Sequence, residues 1–365
     1  MKHKLWLSLL LFAFTLCPAA LDSTIWYVDG VNGSDNNNCK SRQSACKTIG
    51  HAISLASSGD SIVVAAATYT EKLTISISLR ILGAGAKTTI IDGGGTGGSV
   101  VHISSTSADV TLSKLTIQNG FSFVGGGIRN FGTLTITNNT IQGNVASCLG
   151  GGGIYNDGEL KINNSTIDGN RANAPEMCRG LGGGIYNHGG MLAINNSTVT
   201  GNSAIHGSVA SCGGGIGGAG GAGILLKINN STISGNSADL GGGVCKGAPS
   251  TVVFQNSIVA NSSGGNCFGA MTSDGYNLSS DNTCNFSGPG DLDNIDPKLG
   301  TLGNHGGPTE TIPLLAGSPA IDAGNPSGCT DGHGHLLKTD QRGYPRPDRE
   351  DKSGCDMGAY ERQSD

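Results

Sequence analysis

The sequence predicts an all-β fold: a single-stranded right-handed parallel β-helix with a helical cap at its N-terminal end and a C-terminal capping segment. Three observations predict it. One pattern recurs in four copies between residues 133 and 239, glycine clusters separate the copies, and each copy alternates apolar with polar residues. A repeat of tens of residues indicates stacked units, and alternation with a period of two indicates strands.

The repeat is too short for other arrays. Matching aliphatic residues fall 26 to 34 residues apart, whereas a propeller blade needs about forty residues. Short strands, turns of Asn and Gly, and no room for a helix leave a solenoid of strands. The copies are TLTITNNTIQGNVAS (133–147), ELKINNSTIDGNRAN (159–173), MLAINNSTVTGNSAI (191–205) and LLKINNSTISGNSAD (225–239).

Stacking explains which residues repeat. In a parallel array each residue lies about 4.8 Å above its equivalent in the previous coil, so the sequence predicts an inward aliphatic ladder and two asparagine ladders at the corners. We interpret these repeated residues as structural. The ladders are Ile141, Ile167, Val199 and Ile233; Asn138, Asn164, Asn196 and Asn230; and Asn144, Asn170, Asn202 and Asn236.

The chain divides into four segments. Residues 1–20 carry early lysines, a short apolar run and a small-residue exit, which predicts a cleaved secretory signal. Residues 24–60 predict a strand followed by a capping helix, because apolar residues between 47 and 57 have helical spacing. Residues 61–290 form the predicted β-helix, and residues 291–365 its C-terminal capping region.

Removal of the signal leaves ten cysteines, an even number, which in an exported chain predicts disulfides. Three pairs close in sequence are natural partners, and four cysteines beside the glycine clusters would join adjacent coils, for example the first two and the last two. Spacing alone leaves the connectivity open. The absence of a CxxC pair argues against zinc. The candidates are Cys39 with Cys46, Cys267 with Cys284, Cys329 with Cys355, and Cys148, Cys178, Cys212 and Cys245.

Composition excludes several classes. Sixty-two glycines without a Gly-X-Y period exclude collagen. A net charge of -5, with 5% aromatic residues and no basic patch, argues against a nucleic-acid partner. No run after residue 20 is long enough for a transmembrane helix. We expect a secreted or cell-surface protein that is a monomer.

Three stretches resemble known families. YVDGVNGSD, CKTIGHAI and GDSIVVAAATYTEKLTI resemble the opening of secreted pectin-lyase-like β-helix proteins, and TISGNSADLGGGV resembles the repeats of polymorphic outer membrane proteins. DPKLGTLGNHGGPTETIPLLAGSPAIDAGN, followed by TDQRGYPRPDREDKSGCDMGAYE, resembles the choice-of-anchor Q region of bacterial surface and secreted proteins. The resemblance implies a bacterial exported protein of the right-handed β-helix class.

The same resemblance raises the question of catalysis. Enzymes of this class act on acidic polysaccharides, and they need a base with a charge neutraliser, or paired carboxylates. ATYTE at 67–71 resembles a strand motif of pectin esterases and GHG at 332–334 one of polygalacturonases, but the further motifs of both are missing. We therefore expect a non-catalytic protein that binds polysaccharide or mediates adhesion; the alternative is a polysaccharide lyase or glycoside hydrolase.

Candidate ligand residues lie where the chain departs from the repeat. Strand alternation places Glu159 and Lys161 on one outward face, and Lys227 holds the position equivalent to Lys161. Such a face would hold an anionic sugar, although solvated surfaces also need charge. Inserts between coils are the other place where binding residues concentrate. Those of this chain carry Arg171, Arg179, His188 and His206.

Acidic residues suggest two further features. Asp29 and Asp35 in one polar turn, and Asp291 and Asp293 in another, supply oxygen atoms of the kind calcium prefers, although turns favour Asp for their own reasons. No cofactor is required by the pattern, and calcium is the one that it would admit. Near the C-terminus, the sequence predicts a charged cluster tied by Cys329 and Cys355; its members are Asp340, Arg342, Asp356 and Glu361.

Overall fold

The computed structural model of the protein describes residues 23–175, 178–205, 209–218, 223–331, 334–348 and 354–363. It is a right-handed parallel β-helix, as predicted. Three long sheets run along the stack, and within each sheet every strand pairs with the equivalent strand of the next coil. A typical coil passes through the third sheet, then the first, then the second. A short fourth sheet lies in the connection back to the third.

The first and second sheets have ten strands each. Strands of the first sheet are Ile25–Val28, Ser61–Val64, Leu79–Gly83, Asp109–Ser113, Thr133–Thr137, Glu159–Asn163, Met191–Asn195, Leu225–Asn229, Thr251–Gln255 and Thr272–Ser273. Strands of the second sheet are Ala67–Thr70, Thr89–Asp92, Thr116–Gln118, Thr140–Gln142, Thr166–Asp168, Thr198–Thr200, Thr232–Ser234, Ile258–Ala260, Leu278–Ser279 and Leu292–Asp293.

The third sheet has eight strands and the short sheet four. Strands of the third sheet are Leu73–Ile75, Val101–Ile103, Ile128–Asn130, Ile154–Asn156, Ile185–Asn187, Ile216–Gly218, Val244–Lys246 and Cys267–Phe268. Strands of the short sheet are Phe121–Val124, Val145–Gly150, Arg171–Asn173 and Ser203–Ile205. The repeat predicts two strands per copy; a third forms directly after each glycine cluster.

The interior is an aliphatic column. The four predicted aliphatic residues of the second sheet pair in register and are fully buried. Complete burial of one such side chain stabilises the fold by about 2 kcal/mol, so the column is the main source of stability. Its predicted members are Ile141, Ile167, Val199 and Ile233.

One predicted asparagine ladder is a true hydrogen-bonded ladder. The Nδ2 atoms of Asn144, Asn170 and Asn202 each donate to the Oδ1 atom of the next asparagine, at 2.9, 3.0 and 3.0 Å. The last acceptor is Asn236, and all four side chains are buried. This ladder lies where the second sheet ends, and it satisfies corner groups that water does not reach.

The asparagines of the other predicted ladder allow the backbone to turn at a corner. Asn138, Asn164, Asn196 and Asn230 have φ values of 56°, 49°, 47° and 46°, which place them in the left-handed region that Asn tolerates. They form the corner between the first and second sheets. A further buried ladder, which the repeat analysis does not predict, joins Asn130, Asn156 and Asn187 after the third sheet.

Both ends of the column are covered. The helix Ile49–Leu55 buries Ile49 and Ala52 in the main core, as the predicted cap requires. Its first amides are satisfied by Glu71, whose carboxylate oxygens accept from Ile49 N and Gly50 N at 2.9 and 2.8 Å. At the far end Phe286 packs on Phe254, with 5.2 Å between ring centroids.

The C-terminal segment lies along the side of the stack. We expected it to close the end, but its hydrogen bonds go to outward threonines of the second sheet. Thr166 Oγ1 donates to Glu310 O at 2.6 Å, and Thr198 Oγ1 donates to Gln341 Oε1 at 2.7 Å. The predicted charged cluster forms: Arg342 pairs with Asp340 at 2.7 Å. After the strand Leu292–Asp293, the described part of the segment forms no further strand, and it docks on the hydroxyl row instead.

Five disulfides form, and all follow the pairing that sequence proximity suggested. Two of them join adjacent coils beside the glycine clusters, and a disulfide restricts the unfolded chain. Disulfides in this number are typical of proteins that mature in an oxidising compartment. The pairs are Cys39–Cys46, Cys148–Cys178, Cys212–Cys245, Cys267–Cys284 and Cys329–Cys355. No helix in the described ranges is long and apolar enough to cross a membrane.

Candidate functional site

A row of aromatic and cationic side chains runs along the outer face of the third sheet. Four successive strands there are the tripeptides VHI, IRN, IYN and IYN, and the first and third residues of each are buried. The middle residues therefore face outward and stack in register. They are His102, Arg129, Tyr155 and Tyr186, and with Phe131, Asp157 and His188 of the following turns they are called the third-sheet row.

Ring contacts hold the row together. The imidazole of His188 stacks on Tyr155, with 5.5 Å between centroids and an interplanar angle of 24°. Tyr155 and Tyr186 meet edge to face at 5.8 Å, an arrangement that aromatic pairs favour. Arg129 lies 4.7 Å above the ring of Phe131. The rings thus fix the positions of the polar groups beside them.

The short sheet and its loops form a wall behind the tyrosines. Val124, Tyr155 and Tyr186 form a small cluster of their own, and Leu181 packs against it. Gly125 has a φ of 60°, and a Cβ atom there would lie 2.9 Å from the Cβ of Tyr155. A glycine is therefore required for the wall to approach the row so closely.

Exposure separates the groups that hold the row from those that meet solvent. Tyr155 and Tyr186 are 8% and 6% exposed. The side chain of His188 is 49% exposed and that of Asp157 is 34% exposed, and His188 Nδ1 lies 3.0 Å from Asp157 Oδ1. Arg129 is half-buried. The buried tyrosines therefore support an accessible rim of histidine, carboxylate and guanidinium.

Burial and neighbouring charges shift three pKa values in the row. Burial, and then the charge of Asp157, raises the pKa of Tyr155 to about 12. Burial likewise raises the pKa of Tyr186, and the charge of Arg179 opposes that rise. Burial and then the charge of Arg129 lower the pKa of His102. At neutral pH the tyrosines keep their hydroxyl protons, and His102 is neutral.

This arrangement suits a linear ligand. Three coil steps separate His102 from Tyr186, about 14 Å along the axis. Aromatic side chains offer apolar faces and polar edges to a partner, and guanidinium groups bind carboxylates in two-pronged fashion. A polymer of sugar rings lying parallel to the axis would meet His102, Arg129 and His188, while the buried Tyr155 and Tyr186 hold that rim in place.

The other predicted surface is on the first sheet. Lys161 pairs in register with Ala193, which pairs with Lys227, so the two lysines lie two coils apart on one outward row. Glu159 and Lys161 are exposed on the same strand. The structure therefore brings these three residues to one face, as the alternation predicts, but it supplies no aromatic side chain between them.

Residues predicted in the inserts divide between two places. His188 belongs to the third-sheet row, and Arg179 is close enough for its charge to act on Tyr186. Arg171 lies on the short sheet, paired with Val145 and Ser203, and is exposed. His206 lies outside the described residues.

Three of the four predicted metal ligands accept hydrogen bonds from nearby backbone amides. Asp29 accepts from the amides of its own turn, and Asp35 accepts from Lys47 N at 2.9 Å. Asp291 accepts from Asn277 N at 2.8 Å, and Asp293 has a raised pKa, caused first by burial. Within the described ranges, the only grouping of three metal-binding side chains contains the Cys39–Cys46 disulfide and His51. Bonded cysteines are not thiolate ligands, so calcium stays a prediction.

Four residues of the row, His102, Arg129, Tyr155 and Tyr186, were not predicted from the sequence. The signal was present: IRN at 128–130, then IYN at 154–156 and again at 185–187, each directly after a glycine cluster. A tripeptide is too short to show alternation, so it looked like part of the glycine connection.

No protein-family model matches the chain, and no curated protein matches it. Among solved structures it is similar to pectate lyase Pel9A, at 15% identity and a TM-score of 0.49, over 93% of this chain and 97% of that chain. It is also similar to a mutant pectin methylesterase in complex with a hexasaccharide, at 17% identity and a TM-score of 0.40, over 67% and 80%. A third similar structure is pectin methylesterase PemA from Erwinia chrysanthemi, at 16% identity and a TM-score of 0.36, over 67% of this chain and 80% of that chain.

Likenesses at this level carry no argument about chemistry, so the function has to rest on the residues of the row. The resemblance of the termini to pectin-lyase-like openings and to choice-of-anchor Q regions also stays a prediction.

Proposed function

We propose that the protein is an exported β-helix protein that binds a linear polysaccharide along the third-sheet row, at or near the cell surface, without cleaving it. The observation that carries the proposal is the register of His102, Arg129, Tyr155 and Tyr186, with His188 stacked on Tyr155. Rings that are already packed in place lose little entropy on binding. Arg129 and Arg179 favour a polymer that carries carboxylates.

Export is part of the same proposal. Five disulfides support maturation in an oxidising compartment, and residues 1–20 have the pattern of a secretory signal. The expected result is a mature protein outside the cytoplasm that starts near residue 21 and carries no free thiol, measured by mass spectrometry with and without reduction.

The binding test uses matched variants. Pectin, alginate and glycosaminoglycans are cast in native gels, and the retardation of the folded protein gives an apparent affinity. His188→Ala and Arg129→Gln are expected to weaken binding about tenfold, the effect of losing a central contact of more than 1 kcal/mol. His335→Ala is the control, since His335 also lies 3.0 Å from a carboxylate, that of Asp331, but on the C-terminal segment. Equal retardation of all three variants would refute the row as the binding surface.

One observation favours a second candidate, a polysaccharide lyase. His102 has a lowered pKa and lies beside the cation Arg129, and its Nε2 atom is buried without a hydrogen-bond partner in the described part of the chain. A neutral imidazole can accept a proton as a general base, and a neighbouring guanidinium can bind the carboxylate beside that proton. The same polymers, incubated with protein and calcium, are followed for unsaturated products and reducing ends. Turnover that His102→Gln abolishes would replace the binding proposal.

A further inference from the structure

A groove crosses the first sheet near the helical cap, on a different face from the third-sheet row. Its volume is about 360 Å³, within the range of small-ligand sites, about 300–1,000 Å³. The first three strands of the first sheet supply the floor, and two cations stand at the rim. The lining includes Tyr27, Asp29, Val63, Leu82, Arg42 and Lys114.

The groove exists because the chain keeps small residues at this corner. Ala65, Gly83 and Ala84 line it. Gly83 admits no side chain, because a Cβ atom would lie against the backbone oxygen of Lys114 and 2.7 Å from a methyl group of Leu115. Packing between the coils therefore allows no side chain at position 83, next to Lys114. The missing side chain leaves space in which the ring of a ligand can lie.

Lys114 occupies a corner between the first and second sheets at which later coils have asparagine. It has a φ of 58°, and in the following coils the equivalent corner residue is an asparagine. Lysine gains nothing from this left-handed conformation, whereas Asn is several-fold enriched there. Residues kept in sparsely populated conformations point to a role beyond the backbone. The equivalents are Asn138, Asn164, Asn196, Asn230 and Asn256.

The groove has a net positive charge. Arg42 and Lys114 are both exposed, and in the described ranges neither side chain has an ion pair or hydrogen bond. Asp29 also lines the groove, but its Oδ1 accepts from Val31 N and Asn32 N at 2.9 and 3.0 Å. These hydrogen bonds, that of Asn32 first, lower the pKa of Asp29. Asp29 therefore stays ionised with its lone pairs largely occupied, and the groove carries two cations without partners and one carboxylate, a net charge of about +1.

The floor is apolar. Leu82 is 40% exposed, and Val63 and Tyr27 are half-buried beside it. Exposed leucine beside free cations favours a ligand that has both an apolar face and a negative charge. A hydrated inorganic anion would pair with the two cations but make no contact with the apolar floor. A neutral sugar would contact the floor but leave the two cations unpaired.

We propose that this groove is a second binding site, specific for a single carboxylated sugar unit. Arg42 and Lys114 hold the carboxylate, and the apolar face of the ring lies on Leu82 and Val63. The site goes beyond the proposed binding of a polymer on the third sheet, because it lies on another face and shares no residue with the row.

The test uses sodium glucuronate as the probe, with glucose and sodium sulfate as comparisons. Backbone amide shifts of residues 63–65 and 82–84 are followed by NMR during titration, which separates this groove from the third-sheet row. Lys114→Asn restores the usual corner residue, so the melting temperature is expected to stay the same or rise while the affinity falls about fivefold, the scale of one exposed charge contact. Arg42→Gln is expected to show a similar fall.

Two controls decide the outcome. Lys47→Gln removes an exposed lysine of the same cap that does not line the groove, and His188→Ala removes the rim of the third-sheet row. Glucuronate binding that both controls keep and that Lys114→Asn weakens supports the proposal. It is overturned if glucuronate moves none of these amides, if glucose or sulfate moves them equally, or if Lys47→Gln weakens binding as much as Lys114→Asn. None of these results bears on polymer binding by the row.

Discussion

The side chain of Asn202 is the most heavily used member of the buried ladder. Its Oδ1 accepts from the backbone N and the Nδ2 of Asn170, both at 3.0 Å. Its Nδ2 donates to Ile167 O at 2.9 Å, to Thr200 O at 2.8 Å and to Asn236 Oδ1 at 3.0 Å. Asn202→Ala is therefore expected to be among the most damaging polar substitutions in the protein.

The magnitude follows from the groups left behind. Alanine removes the acceptor of two donors of Asn170, and Asn202 is 1% exposed, so water cannot replace it. Each buried group without a partner costs about 1–3 kcal/mol. Two such donors give about 2–6 kcal/mol. We expect the free energy of unfolding to fall by about 4 kcal/mol.

Asn195→Ala is the matched control, since it lies in the same coil and belongs to an asparagine pair row that water reaches. Its Nδ2 donates to Asn163 Oδ1 at 3.1 Å, and its Oδ1 accepts from Asn229 Nδ2 at 3.0 Å. Asn195 and Asn163 are half-buried, and only Asn229 is buried, so water reaches Asn163 and can enter the space that the side chain leaves. The expected loss is below about 1 kcal/mol.

Urea unfolding followed by circular dichroism measures both variants against the wild type. Stacked coils can melt in segments, so hydrogen exchange of the amides in 198–205 gives the local value. Equal losses for the two variants, or a loss below about 1 kcal/mol for Asn202→Ala, would show that burial of the ladder is not what makes it stabilising.

Two further predictions concern packing and pH. Gly183→Ala places a Cβ atom against the backbone of Ser203 and is expected to abolish soluble expression. In Gly169→Ala the new Cβ atom meets no atom within 4 Å, but the residue has a φ of 61°. This variant is expected to lose about 1 kcal/mol of stability, measured as a shift in melting temperature. Burial, and then the charge of Glu310, raises the pKa of Asp168 above 3.8. The folded state therefore holds a proton that the unfolded state releases, so this contribution is full below the ordinary pKa and is lost as pH rises through the folded pKa. Asp168→Asn is expected to flatten the dependence of melting temperature on pH above the ordinary pKa of 3.8; an unchanged slope would contradict the assignment.

The fold could be predicted because its rules are local and repeated. A residue such as Ile167 or Asn170 recurs at every coil, and stacking turns recurrence in sequence into contact in space. The helical cap was equally readable, since Ile49 and Ala52 have the spacing of a one-sided helix. The coil-joining disulfides were only partly readable, because Cys212 and Cys245 are not equivalent in the repeat: Cys212 pairs with Leu240 and Cys245 with Gly217.

The candidate site was harder to predict, since its residues obey no rule that the repeat imposes. His188 and Arg179 were found because inserts concentrate binding residues. Tyr155 and Tyr186 were missed because their strands are only three residues long. The C-terminal segment has no periodicity, so only the structure shows that Gln341 reaches Thr198 across 143 positions.

The position of the C-terminal segment also narrows where a polymer can bind. It covers the outer face of the second sheet from Thr166 to Thr232, which leaves the first and third sheets for any ligand that follows the axis. On the first sheet, Lys161 and Lys227 are separated by Ala193, so consecutive sugar rings would meet charge at alternate coils only. On the third sheet, four successive coils carry an aromatic or cationic side chain in register, and the two buried tyrosines hold His188 at the accessible rim. A continuous chain gains from contacts at every step, because each further contact is made without a new loss of translational freedom. We therefore propose the third sheet as the face for a polymer and the first sheet as the face for single charged units.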